Sequence, residues 1–331
     1  MSLKERPLVS FCVKCCNQER YIGEALEGAF AQTYRPLEIV ISDDASTDRS
    51  WEIIQAAVAD YRRRPDAAPV VLNRNASNLG NLGNWLAICS LAKGELLVKA
   101  DGDDVSLPER AARIAGAWRA DGSRATVISH AGMLVGPRGQ RMGPMWNVSA
   151  AAPAGAVMAF HRGVYDAFGG AEDLRMVDDE LFALRARMLG PELVLQDRLV
   201  KYRLGTGVSN SLWRMREPMC RSRRDLVKAF RQARRDLEKA RAGMSESERS
   251  EWRSLLDAGE ARAESELMLF EGKAFAARRE GYRRMGPVRL LSVWQFFKIA
   301  YLLPRPVGDC LLFAYAVVRY AVRRAKGALR R

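Results

Sequence analysis

Apolar positions along the first two hundred residues follow two alternating rhythms. Residues 8–13, 37–41, 70–72 and 95–99 are short runs rich in Val, Ile and Leu, of the kind that form buried strands. Between them, residues 21–31 place Ile22, Ala25, Leu26, Ala29 and Phe30 at helical spacing. Residues 50–61 put Trp51, Ile54 and Val58 on one face, and residues 83–92 read as a third helix. Strand and helix in strict alternation predict an α/β fold: a doubly wound, mostly parallel sheet flanked by helices. Ligands of such sheets bind beyond the carboxyl ends of the strands.

The pattern continues less regularly. Residues 107–120 predict a helix with Pro108 in its first turn. Residues 125–130 and 133–135 read as strands before a Gly-Pro-Arg-Gly turn at 136–139, and residues 157–160 and 193–202 as further strands. Residues 178–189 predict a helix whose first turn gathers Asp178, Asp179 and Glu180, where the helix dipole favours acids. After Asn210 the character changes. Residues 214–281 have helical periodicity in an Arg-, Glu-, Ala- and Leu-rich background and predict two long polar helices, broken near Gly243. The expected organisation is a domain over 1–210, a charged helical extension over 211–282, and a basic amphipathic segment over 283–331.

Charge sharpens that division. The 331-residue chain has a formal net charge of +14, but residues 1–210 hold 25 basic and 25 acidic residues, leaving 28 basic and 14 acidic in 211–331. A basic excess confined to one end predicts an anionic partner there. Within 283–331, Trp294, Phe296, Phe297, Tyr301, Phe313 and Tyr315 lie in apolar runs flanked by Arg and Lys. Neither run reaches the roughly 20 residues needed to span a bilayer. The combination predicts attachment to an anionic membrane surface. Nucleic acid is not expected, because stacking platforms would alternate aromatic with basic residues. The six cysteines form no paired framework. Cys12 and Cys15 lie in a strand-like run, where they would face opposite sides as buried, reduced thiols. With no signal peptide at the polar N-terminus, the expected location is the cytoplasm, peripheral on the inner face of the cell membrane.

The candidate chemistry is carboxylate chemistry. The strand at 95–99 runs into Asp101-Gly-Asp103-Asp104, and the strand at 37–41 into Asp43-Asp44. A solvated turn with a helix cap accounts for acids of this kind. Three carboxylates leaving one buried strand also favour a bound cation, and oxygen ligands suit Mg²⁺ or Mn²⁺ bridging to substrate phosphates. A phosphatase or a nucleotidyl transferase could use the same device.

A series of motifs in order narrows the choice: Asn17-Gln-Glu19 followed by Gln32-Thr-Tyr, then Asp43-Asp44-Ala-Ser46-Thr-Asp48, Asn78-Leu-Gly80, and Asp101-Gly-Asp103-Asp104. Over roughly residues 8–210 the chain resembles the family 2 glycosyltransferases of the GT-A fold. The resemblance implies an inverting transfer from a nucleotide-sugar donor, of the UDP type, to a saccharide or lipid-linked acceptor in cell-surface glycan synthesis. It places Asn17, Glu19, Asp43, Asp44, Asn78 and Gly80 around the nucleotide. It places Asp101, Asp103 and Asp104 at a Mn²⁺ or Mg²⁺ ion on the donor diphosphate, and gives Arg203 a diphosphate contact. Asp179, followed by a helix carrying Arg185, matches the general base. Two departures stand out. Lys14-Cys15-Cys16-Asn17 replaces the usual Pro-x-Tyr-Asn, and Ala45 replaces a glycine, a mild change where φ is negative. A catalytically inactive scaffold on the same fold is the rival reading; intact Asp101, Asp103 and Asp179 argue against it.

Overall fold

The computed structural model describes residues 6–144, 154–204, 216–240 and 243–271. The segment 283–331, with its expected membrane attachment, lies outside the described residues. The chain divides into two compact units, one of residues 1–206 and 232–249, the other of 207–231 and 250–331.

The first unit is built on a nine-stranded sheet. Its elements are β1 (Val9–Cys15), α1 (Ile22–Phe30), β2 (Leu37–Asp43), α2 (Ser50–Tyr61), β3 (Val70–Arg74), α3 (Gly80–Leu91), β4 (Leu96–Asp101), β5 (Val105–Ser106), α4 (Arg110–Ala120), β6 (Val127–Val135), β7 (Arg141–Pro144), β8 (Met158–His161), α5 (Gly163–Phe168), α6 (Asp178–Leu189) and β9 (Glu192–Arg203). The strand order is β3-β2-β1-β4-β8-β6-β9-β5, with β7 on β6. The first four strands pair in parallel, as the alternating rhythm predicts. Beyond β4 the directions mix: β8 is antiparallel to β4 and β6, β9 is parallel to β6, and β5 is antiparallel to β9.

Every residue of β1 and β2 is buried, which is why they read as mainly apolar runs, with Ser10, Lys14, Glu38 and Ser42 as buried exceptions. One face of the sheet packs Phe11, Ile39, Ile41 and Val98 against Leu26, Ile54, Val58, Ile114 and Trp118 from the flanking helices. Elsewhere in the core Trp85, Phe160 and Phe182 stack edge to face, with centroids 5.5–6.2 Å apart. Each such buried side chain contributes on the order of 1.5–3 kcal/mol.

Helices α2 and α6 begin and end where the periodicity places them. The helix expected over 107–120 starts at Arg110, so Pro108 precedes it rather than sitting in its first turn. The two runs at 125–130 and 133–135 form one strand, β6.

Two long helices follow: α7 (Arg216–Ala240) and α8 (Glu246–Glu271). Residues 232–240 of α7 belong to the first unit. There Asp236 pairs with Arg185, Lys239 donates to the Phe168 carbonyl, and Gln232 accepts from the Glu172 amide. In the second unit, Phe230 lies over Gly259, and Arg231 pairs with Glu260 and Glu264. No helix among the described residues is long and apolar enough to cross a membrane.

Candidate active site

The carboxyl edge of the parallel strands carries three loops that are sewn together. Asn17, in the loop after β1, adopts φ 52° and turns its side chain toward the loop after β2. Its Oδ1 accepts from the Thr47 amide at 2.8 Å, and its own amide donates to Ser46 Oγ at 2.8 Å. Two residues on, the Glu19 amide donates to Asp48, and Glu19 Oε2 accepts from the Arg49 amide. The Asn-x-Glu spacing thus serves a definite purpose: both residues bind the loop after β2.

Asp43 and Asp44 close that loop from below. Asp43 is fully buried; it accepts from the Ser46 amide and hydroxyl and lies 3.4 Å from Arg74 Nε. Asp44 accepts from three donors: Asn75 Nδ2 at 2.8 Å, the Leu79 amide at 2.8 Å and the Gly80 amide at 2.9 Å. Its carboxylate therefore satisfies the exposed amides at the start of α3. Gly80 sits at φ +79°, a conformation open to glycine. Asn78 donates to Cys16 Sγ and to the Asp44 carbonyl. Ala45 has φ 52°, so the substitution of the family's glycine places a Cβ in the left-handed region; the mild reading that depended on negative φ is corrected.

The Asp-Gly-Asp-Asp turn closes β4. Asp104 is buried; its Oδ1 accepts from the Arg203 amide at 2.6 Å. Burial, then Asp103 and Asp101, push its carboxyl well above the ordinary range. The Arg203 guanidinium is equally engaged. It donates to the carbonyls of Asp103 and Pro137, pairs with Glu24 at 2.8 Å, and covers the Tyr21 ring at 4.8 Å. Behind the turn, the fully buried Arg110 donates to His130 Nε2, Ser106 Oγ and the Lys99 carbonyl. Burial, then the neighbouring Arg110, hold His130 well below its usual pKa.

Asp101 differs from its neighbours. Its Oδ1 is buried and accepts no hydrogen bond, and lies 3.4 Å from Lys14 Nζ. No group of three His, Cys, Asp or Glu side chains able to hold a metal occurs among the described residues. Of the three expected ligands, Asp104 is turned to β9, where its Oδ1 accepts from the Arg203 amide. The residues fit a cation taken by one or two carboxylates and completed by phosphate oxygens and water.

Two lysines that sequence reasoning passed over dominate the electrostatics. Lys14 on β1 and Lys99 on β4 share one face of the sheet. They meet Asp178 and Asp179 at the first turn of α6. Asp178 takes Lys14 at 2.9 Å and Lys99 at 2.6 Å. Burial alone would raise its pKa, but the two ammoniums hold it well below the usual carboxylate range. Asp178 is thus an ion-pair centre and the first residue of α6. No side chain caps that end of the helix. Asp179, partly exposed, pairs with Lys99 through Oδ1 and accepts from the Gly155 amide at 2.9 Å through Oδ2. Burial raises its pKa, and Lys99 opposes that rise. The signal for this cluster was present: a lysine inside each of two buried strands has to find carboxylates.

The thiols carry no comparable chemistry. Cys12, Cys15, Cys16 and Cys89 are free; burial pushes Cys15 up to about 12 and Cys12 well above its ordinary value.

Residues 10–147 match the family described as glycosyl transferase family 2. Over these residues, somewhat less than half of its length, the chain is similar to the family 2 glycosyl transferases. Among relatives, abequosyltransferase RfbV of Salmonella typhimurium is 39% identical over 90 residues, 27% of this chain and 26% of RfbV. Putative glycosyltransferase EpsE of Bacillus subtilis is 33% identical over 104 residues, 31% of this chain and 36% of EpsE. An uncharacterized protein of Mycobacterium tuberculosis, Rv1520, is 43% identical over 89 residues, 27% of this chain and 24% of that protein. The chain thus spans about a quarter to a third of the curated relatives it matches. Among solved structures, mannosyltransferase PcManGT of Pyrobaculum calidifontis, in complex with GDP-Man and Mn²⁺, superposes with a TM-score of 0.57 at 17% identity, covering 98% of this chain and 84% of that one. Residues 1–349 of S. aureus TarS give 0.56 at 17% identity, covering 97% and 91%. The likeness shows that the chain has the GT-A fold of these structures.

Proposed function

We propose that the protein is an inverting, metal-dependent glycosyltransferase that moves a sugar from a nucleoside diphosphate, of the UDP type, to a hydroxyl of a saccharide or lipid-linked acceptor in cell-surface glycan synthesis. The observation that carries this reading is the buried Asp101 Oδ1 at the carboxyl edge of β4, which accepts no hydrogen bond and has the Lys14 ammonium 3.4 Å away. The named activity of relatives such as RfbV, and the GDP-Man and Mn²⁺ bound by PcManGT, support it.

In this reading the sewn loops bearing Asn17, Glu19, Asp43, Asp44, Asn78 and Gly80 form the rim that meets the nucleotide. Asp101 and Asp103 hold Mn²⁺ or Mg²⁺, which would neutralise charge developing on the departing diphosphate. Asp104 and Arg203 keep the turn in place from behind. Asp179 takes the proton of the acceptor hydroxyl as its oxygen attacks the anomeric carbon. The bond to the diphosphate oxygen breaks on the opposite side, which inverts the centre without a covalent intermediate. Residues 211–282 act as a helical extension. Residues 283–331 attach the enzyme to the cytoplasmic face of an anionic membrane, a role that flotation with anionic vesicles tests against a chain truncated at Arg283.

Titration calorimetry with UDP and a panel of UDP- and GDP-sugars, with and without Mn²⁺, tests the donor site on wild type and Asp103→Asn. Manganese-dependent binding that the substitution abolishes is expected. A folded protein that binds no nucleotide under any metal condition overturns the reading.

A further inference from the structure

Five ionisable groups converge below the candidate site: Lys14, Lys99, Asp101, Asp178 and Asp179. Lys99 is 1% exposed and Asp178 2%. Two buried ammoniums facing three carboxylates are costly to assemble, since each charge leaves water. A packing role alone would be served more cheaply by apolar side chains of the same volume. Lys99 is the member that touches both Asp178 and Asp179, and its Nζ lies 5.7 Å from the Trp85 ring centroid.

Gly155 completes the arrangement from the other side. Its amide donates to Asp179 Oδ2. A Cβ at this position would fall on Lys99 Nζ and Asp179 Oδ1. The backbone must approach this closely for both carboxylate oxygens of Asp179 to be held at once. A side chain on α6 alone would rotate about two bonds; here each oxygen has its own donor, one from β4 and one from the turn before β8.

We propose that Lys99 is a positioning residue for Asp179: its ammonium and the Gly155 amide clamp the two carboxylate oxygens and aim the carboxylate at the acceptor hydroxyl. This rests on the reading of Asp179 as general base. Lys99 does not touch the reacting atoms; it acts through Asp179. The charged groups facing Asp179 are Lys99, Asp178, Lys14 and Asp101, so removing Lys99 leaves a net excess of negative charge around the carboxylate.

The test uses the full chain with Lys99→Gln, Lys99→Arg and Lys99→Met/Asp178→Asn. The double variant removes the buried partner together with the lysine and serves if the single one does not fold. Aspartate-carboxyl ¹³C NMR, with the Asp179 signal assigned by Asp179→Asn, reads the acid directly. The pH profile of nucleoside diphosphate release is measured with the sugar nucleotide that the calorimetric panel identifies. Loss of Lys99 is expected to move the Asp179 titration up by about 1 pH unit or more. The acid limb of kcat should move with it, kcat should fall about tenfold or more, donor KM should stay within about twofold, and Lys99→Arg should restore part of kcat. An unmoved Asp179 titration, or a loss carried by donor KM alone, overturns the clamp. A shifted titration with an unmoved kcat profile overturns instead the assignment of Asp179 as base.

Discussion

The Arg185 guanidinium donates to the Asp236 carboxylate at 2.8 Å, and neither side chain has any solvent exposure. The two residues are 51 apart in sequence, on α6 and α7. Arg185 also donates to the carbonyls of Gly169 and Gly170. Removing one partner of such a pair leaves an uncompensated buried charge, which costs about 3–5 kcal/mol. Asp236→Ala is therefore expected to lower stability by that order in urea denaturation, and Asp236→Ala with Arg185→Met to lower it less. A loss under about 1 kcal/mol in the single variant would contradict the pair's burial.

This pair also marks the limit of sequence reasoning. The parallel half of the sheet was legible because β1, β2 and β4 are buried almost throughout and leave mainly apolar runs. α2 was legible because Ser50, Ile54, Val58 and Tyr61 recur on one buried face, and α6 because three acids gather in its first turn. β5 was not: two residues contain no period, and their place is set by pairing with β9 nearly a hundred positions on. The return of residues 232–240 to the first unit was equally hidden, since a charged face that finds one buried arginine reads the same as a solvated one. At the candidate site, Asp43, Asp44, Asp101 and Asp179 could be picked out by type and position. Their partners Lys14 and Lys99 could not be picked out by motif. They emerge only once β1 and β4 lie side by side in register, with Cys12 opposite Lys99 and Lys14 opposite Asp101.

Ala45 offers a test of backbone strain. With φ 52° it occupies a region that costs an L-residue roughly 1–2 kcal/mol and glycine little. Ala45→Gly is expected to stabilise the protein by about 1 kcal/mol, after allowing for glycine's greater freedom in the unfolded chain. The shift in urea midpoint at unchanged m-value measures it; a destabilised Ala45→Gly would show that the methyl group packs favourably enough to outweigh the strain.

Asp44 is expected to be worth more to the fold than a surface acid. Three donors converge on its carboxylate, two of them amides at the start of α3. Asp44→Ala leaves them without their acceptor and should cost about 1–3 kcal/mol. Hydrogen exchange should show faster exchange at Leu79 and Gly80. Unchanged exchange at both amides would contradict the capping role.

His130 gives the fold a defined pH response. It is buried, accepts from Arg110 at Nε2 and lies 2.8 Å from the Ala131 carbonyl at Nδ1, so the neutral ring fits. Its folded pKa is lowered, while the unfolded chain takes up a proton near pH 6.5. The unfolded state thus binds more protons as pH falls below about 6.5, and stability falls with it by up to about 1.4 kcal/mol per pH unit. Above that pH the residue contributes no slope. Urea denaturation between pH 5 and 8 should show the loss on the acid side, and His130→Asn should flatten that part of the curve.

The stitching of the three loops has a consequence for how the molecule would meet a ligand. Asn17 is bonded to Ser46 and Thr47, Asp44 to Gly80, and Asn78 to Cys16 and Asp44, all by hydrogen bonds that need nothing from outside. Their geometry is set when the sheet forms, before any ligand arrives. An incoming molecule would then lose its own freedom but would not have to organise the rim, and association should be correspondingly fast and free of large rearrangement at this edge.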